Sequence, residues 1–309
     1  MKKLLFIGIW IIASLGALAQ QDPIYNLYLF NPLVINPAYA GSRDRFQAIA
    51  LHRSQWIGMK GAPTTQTLSM HAPVWNRKVG LGFTVINDAI GPVGQTQINA
   101  TYAYRLLLSS GRLAFGLRTG VQNYRFAWEK IDYQNDLEES PNGQNLNDWN
   151  LNFDFGIRYS TRLSFLGVSL AHINSPKVDV QLSDTLNYYS RIVRDLTVTG
   201  GRAFEINEDL VIRPSFMARA NRGVGVVDLN CSFLLKQTLW LGFSASTSKR
   251  LVLLAEYHIN NNLRAGYSFD MSLTPIRKYS YGSHEIFISF EFGTIPKPAM
   301  ISPRVYGYF

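Results

Sequence analysis

The sequence predicts an all-β fold: a transmembrane antiparallel β-barrel of about 14 strands, with short periplasmic turns and longer extracellular loops. Three observations predict it. Strand-length segments alternate apolar and polar residues through most of the chain. After the first residues no stretch approaches the roughly eighteen consecutive apolar residues that a spanning helix needs. Finally, short and long connections segregate between the two sides of the expected sheet.

Met1 to Ala19 has the anatomy of an export signal, with Lys2 and Lys3, an apolar run from Leu4 to Leu18, and the small-residue box Ala17-Leu18-Ala19. The expected organisation is a signal peptide at 1–19, a periplasmic or plug-like segment at 20–45, a barrel at 46–293 and a tail at 294–309. In Gln21 to Ser42, Pro23, Pro32 and Pro37 interrupt the apolar residues, so an extended or short-turn segment that packs against something is expected.

From Phe46 the strands come regularly, at 46–55, 64–73, 79–88, 95–106, 112–124, 150–160, 164–173, 195–204, 210–220, 225–235, 239–247, 251–259, 263–271 and 284–293. The pattern is clearest in the hairpin Leu251 to Met271. There Leu251, Leu253, Ala255 and Tyr257 alternate with Glu256 and His258, and Ala265, Tyr267, Phe269 and Met271 with Arg264, Ser268 and Asp270. Asn260-Asn261-Asn262 is expected to turn the chain, since Asn tolerates positive φ. Links such as Val74 to Lys78 and Lys236 to Thr238 are short and follow even strands. The long ones, Arg125 to Trp149, Asn174 to Arg194 and Ser272 to Ser283, all follow odd strands. This parity places the short links, and both termini, in the periplasm.

An apolar face turned to lipid leaves the charges for the lumen, because Arg or Lys at the bilayer midplane costs about 2 to 4 kcal/mol. Arg105, Arg112, Arg118, Asp154, Arg158, Arg213, Arg219, Glu256, Arg264, Asp270 and Glu285 are therefore expected inside, as a salt-bridged filling or the lining of a wet pore. The net charge of +9 reads as lumen lining and contacts to anionic outer-membrane lipid. Nucleic acid is not an expected partner, because the arginines are dispersed along strands. The acidic link Arg125 to Trp149 reads as a solvated surface loop.

Chemistry finds little support. The histidines lack metal-ligand spacing, the single Cys231 has no internal partner, and G-x-S-x-G and phosphate-loop motifs are missing. No cofactor or metal is expected. His52 with Ser54, and Ser69 with His71, share faces of neighbouring strands, but the sequence places no acid beside them. A non-enzyme is the expectation. The glycines of Gly80-Leu81-Gly82 read as structural, allowing bending and close approach.

An ordered set of short motifs carries a resemblance: Gln21-Asp22-Pro23, Ile35-Asn36-Pro37-Ala38-Tyr39-Ala40-Gly41, Arg53 with Gln55-Trp56, Gly61-Ala62-Pro63-Thr64, Gly80-Leu81-Gly82, Asp88 with Gly91, and Tyr102-Ala103-Tyr104. Together they resemble the PorP/SprF family of Bacteroidetes outer-membrane proteins, closely over residues 21 to 125. The ending Ser302-Pro303-Arg304 to Phe309 looks like the family's short tail. The resemblance implies an outer-membrane barrel of the type IX secretion system. It would work with secreted or surface-attached cargo bearing a C-terminal sorting domain, gliding adhesins included, and with periplasmic components of the machinery. Asn36, Pro37, Ala38, Tyr39, Gly41, Arg53, Gln55 and Trp56 are the candidate partner contacts. The alternative is an outer-membrane channel or hydrophobic-solute transporter.

Overall fold

The computed structural model describes residues 23–43, 45–127, 146–183, 186–221 and 224–293. The expected signal peptide, the 294–309 tail and most of the acidic link lie outside these residues.

The strands are β1 Phe46–Ser54, β2 Thr64–Val74, β3 Val79–Ile90, β4 Val93–Leu108, β5 Gly111–Phe126, β6 Leu146–Ser160, β7 Ser164–Ala171, β8 Lys177–Ser183, β9 Leu186–Arg191, β10 Asp195–Arg202, β11 Phe204–Asn207, β12 Leu210–Asn221, β13 Val224–Leu235, β14 Leu239–Ser246, β15 Arg250–His258, β16 Leu263–Ser272 and β17 Ser283–Phe292. Consecutive strands pair antiparallel except at β7/β8, β9/β10 and β10/β11; β7 pairs instead with β10, and β10 with β12. β17 returns to β1 over the register Phe46↔Phe292 to Ser54↔His284, so the sheet is closed and has no open edge. β10 and β11 form one interrupted stave against β12, giving a closed barrel of 14 staves.

Three local expectations are corrected. The link 174–194 contains a two-stranded hairpin, β8 with β9, apart from the barrel sheet. The expected turn at 205–209 shrinks to Glu208 and Asp209, because β11 resumes pairing after a break at buried Ala203, whose N–H donates to Leu163 O at 2.7 Å. The Asn260 turn also works differently from expectation. None of Asn260, Asn261 and Asn262 is among the positive-φ residues. Instead the Asn260 side chain accepts hydrogen bonds from Asn262 N (2.9 Å) and Leu263 N (2.8 Å), mimicking a backbone turn.

The alternation sorts side chains across the wall. Leu81, Tyr102, Leu117, Phe153, Leu166, Leu229, Phe243, Leu253 and Ile288 stand exposed on the outside, while Arg53, Thr65, Gln122, Glu256 and Glu285 are buried inside. This inverts a soluble barrel and matches what a bilayer requires.

The lumen is filled by residues 23–43. This segment does not hang below the barrel: its apolar residues have no other surface on which to bury. Pro23 lies toward the loop side, against His172, Asp195 and Arg219. The chain then runs through the interior by way of two 3-10 turns, Pro32–Val34 and Pro37–Tyr39, and reaches the turn side at Arg45, which bonds Asn261 O. Tyr25, Leu27, Phe30, Leu33 and Tyr39 are buried. They pack with inward-facing wall residues such as Ile49, Phe165, Met217, Leu234, Trp240 and Phe287 into an apolar core, beside which the lumen is lined with polar groups.

Candidate functional site

The interior is built from a row of small residues. Across the paired strands Gly80, Ala103, Gly116, Gly156 and Ser169 stand in register on β3, β4, β5, β6 and β7. They form a shelf for Asn36 to Gly41. A Cβ on Gly80 would lie 2.0 Å from Ala40 O, one on Gly116 2.2 Å from Ala38 N, and one on Gly156 2.0 Å from Asn36 Oδ1. Only glycine allows the two backbones to approach this closely. Asn36 caps the second turn by accepting from Ala38 N at 2.9 Å, and its amide donates to Ile157 O and Val168 O, both at 3.2 Å. Ser169 Oγ donates to Ile35 O at 2.9 Å.

Charge pairs fasten the segment at three levels. Toward the loop side, Glu285 accepts from Asn26 N (2.9 Å) and Leu27 N (3.1 Å) and pairs with Arg53 (3.1 Å). Arg53 also pairs with Asp270 (3.1 Å), and Asp270 with Arg250 (3.2 Å). At mid-height, Arg118 pairs with Asp154 (3.1 Å) and donates to Leu33 O and Val34 O, while Arg158 lies 4.4 Å over the Tyr39 ring. Arg213 stacks 4.2 Å over Trp240 and 5.5 Å over Phe30. Arg105 donates to Gly41 O. Toward the turn side, Glu291 joins Arg45, Arg43 and Arg264, and Arg264 pairs with Glu256 at 2.9 Å. Every buried charge just named therefore has a partner of opposite sign, an aromatic face or a backbone carbonyl, as burial in a low-dielectric interior demands.

The expected lumen charges Arg105, Arg118, Asp154, Arg158, Glu256, Arg264 and Asp270 are all buried inside. The eight expected partner contacts divide in space. Asn36, Pro37, Ala38, Tyr39 and Gly41 face the barrel wall, and Arg53 is fully buried in the upper ion cluster. Gln55 and Trp56 stand half-buried at the base of a loop, where Gln55 N donates to Pro63 O (2.9 Å) and Trp56 N to Ser283 Oγ (3.3 Å). His52 and Ser54 lie 3.0 Å apart on the outside of the wall, whereas Ser69 and His71 are inside, bonding Asn31 and Gly41 N. The two pairs cannot cooperate through the wall. Sequence reading missed Arg43, Arg45 and Arg250 as lumen groups. The first two precede any strand, and the third opens one, so alternation gave them no face.

Among the described residues, the voids inside include two of about 20 and 40 Å³. Each holds a few water molecules at most. The second is polar, lined by Arg118, Asn152, Asp154, His172, Asp195 and Arg219.

Solved structures of similar shape include Omp33 from Acinetobacter baumannii (8% identity, 82% of this chain and 100% of that one, TM-score 0.48). They also include the toluene transporter TodX of P. putida (10%, 84% and 93%, TM-score 0.48) and a FadL homologue of Pseudomonas aeruginosa (11%, 89% and 94%, TM-score 0.47). No curated protein matches the chain. The model of the type IX secretion system membrane protein family PorP/SprF matches residues 17–290. With a lipid-facing 14-stave barrel beneath that match, the chain belongs to the PorP/SprF family of outer-membrane proteins of type IX secretion.

Proposed function

We propose that this barrel is a non-enzymatic accessory component of type IX secretion, which anchors or assists export of a surface cargo protein with a C-terminal sorting domain. The observation that supports the reading is the filled lumen. Residues 23–43 occupy the interior from the loop side to the turn side, and the inward arginines Arg53, Arg105 and Arg118 are bonded to this chain's own groups. Binding is then left to the two ends and the outer wall.

The loop side carries a built surface. Ile57 N donates to Gly282 O (2.9 Å) and Tyr281 N to Ile57 O (2.8 Å), so the loops 55–63 and 273–282 are pinned together. They hold Ile57, Tyr279 and Tyr281 exposed, the aromatic type that anchors protein interfaces. Cargo docks on this platform, and periplasmic components of the machine meet the turn side. Gentle purification from the native outer membrane, followed by identification of what accompanies the barrel, tests the reading. A co-purifying surface protein with a sorting domain, lost in the double variant Y279S/Y281S, is expected. A barrel that purifies alone and passes stable open-channel currents would overturn it in favour of a channel.

A further inference from the structure

The outer wall is not uniformly apolar. On β1 to β5, near the loop side, outward-pointing polar side chains form a ladder across the sheet. His52, Gln66, Asn87 and Thr96 face one another in register on β1, β2, β3 and β4. Asn87 Nδ2 donates to Gln66 Oε1 (2.8 Å), and Thr96 Oγ1 donates to Asn87 Oδ1 (3.0 Å). Arg125 Nη2 donates to Thr96 Oγ1 (3.1 Å) and Asn87 Oδ1 (3.4 Å), and Gln66 Nε2 lies 3.5 Å from His52 Nδ1. The other half of the barrel differs: Leu196, Val227 and Leu251 stay apolar and exposed close to the loop-side strand ends.

Depth identifies the solvent that the ladder meets. On β4 the outward run below Thr96 is Ile98, Ala100, Tyr102, Tyr104, Leu106 and Leu108. Ten residue steps of roughly 3.4 Å on a strand tilted about 40° rise ~26 Å. This equals the apolar band of an outer-membrane barrel, about 25 Å tall. The β4–β5 end of the ladder therefore stands at the headgroups of the outer leaflet. Charge is also one-sided: the outward alternation of β1 to β5 includes Arg125 and no Asp or Glu.

We infer that this ladder is a binding site for a phosphorylated glycolipid headgroup of the outer leaflet. The Arg125 guanidinium receives a phosphate, since planar paired donors match phosphate oxygens. The amides of Gln66 and Asn87 and the Thr96 hydroxyl combine donors and acceptors that suit sugar hydroxyls. The acyl chains lie along the apolar positions beneath, continuous with the belt that already faces lipid.

Native mass spectrometry of the detergent-purified full chain, with added lipid A (a diphosphorylated, acylated glucosamine disaccharide), tests the site. One lipid A retained per barrel is expected. Retention should fall about tenfold in R125Q/N87A, the loss expected for a charge-assisted hydrogen bond, and by a similar factor for dephosphorylated lipid A on the unaltered protein. The variant K249Q, at the β14–β15 turn, should retain lipid A normally. Heat-dependent gel mobility reports whether each variant is folded, and the dephosphorylated lipid tests the site without any variant. Equal retention of the two lipids by the unaltered protein would overturn the proposal. So would a photo-crosslinker at Gln66 that captures a protein instead of a lipid-mass adduct in intact cells.

Discussion

At Gly116 and Gly156 the absence of one carbon lets the N-terminal segment lie against the wall. The structure leaves no room for a Cβ at either site, with contacts of 2.2 and 2.0 Å to groups of the segment. G116V should therefore destabilise the folded barrel by about 1 to 3 kcal/mol, as overpacking does, and lower its denaturant midpoint. G225A, where a Cβ meets nothing within 4 Å, should leave that midpoint unchanged. The ion cluster makes a second residue-scale prediction. E285A removes the acceptor of two backbone N–H groups and one partner of Arg53. Breaking a buried pair from one side costs about 3 to 5 kcal/mol, so the variant should assemble poorly, while E285Q, which keeps an acceptor, should lose less. Alternation was enough to point Arg118, Asp154, Glu256 and Arg264 inward. It could not say that Arg118 would hold Asp154 and the carbonyls of Leu33 and Val34, because those partners come from β6 and from a segment outside the strand pattern.

The filling segment is the element that sets the state of the lumen. A ring of 14 staves is wider than the small barrels whose side chains alone fill the interior, and here a length of chain supplies the missing volume. Replacing residues 26–41 by a short Gly-Ser linker should give measurable planar-bilayer conductance, where the unaltered barrel is expected to give none. If the deleted protein folds yet stays silent, the wall side chains close the lumen unaided. The segment's apolar residues and three prolines showed in the sequence that it packs against something. That the something is the inside of its own barrel depended on the shelf from Gly80 to Ser169, whose members are far apart in sequence and meet only through strand register. The β8–β9 hairpin was hidden for a related reason: a lone short strand pair on a loop carries no two-faced signature to distinguish it from coil.

For the whole molecule, the outward belt determines where the protein can exist. Leu253, 64% exposed in the middle of β15, faces the bilayer. L253R should reduce assembly into membranes by an amount equivalent to about 2 to 4 kcal/mol, read as a lower folded fraction by heat-dependent gel mobility. The polar L253S should be milder. Restoration of normal assembly by a lipid-free detergent would confirm that the cost lies with the bilayer.

The strand pattern, together with the export signal, the strand lengths and the parity of the links, determined the barrel, its lipid-facing side and most of the buried charges, because a period of two divides the residues of a strand between two faces and the other features say which face meets lipid. The ordered motifs of the first hundred residues determined the family. Only the tertiary structure decided that those motifs divide between the lumen and a loop base. It alone decided that the charges pair across strands, and that polar residues on five neighbouring strands join into a row on the outer wall. These are properties of register and closure: they depend on which residues from different strands stand opposite one another, and local alternation carries no such information.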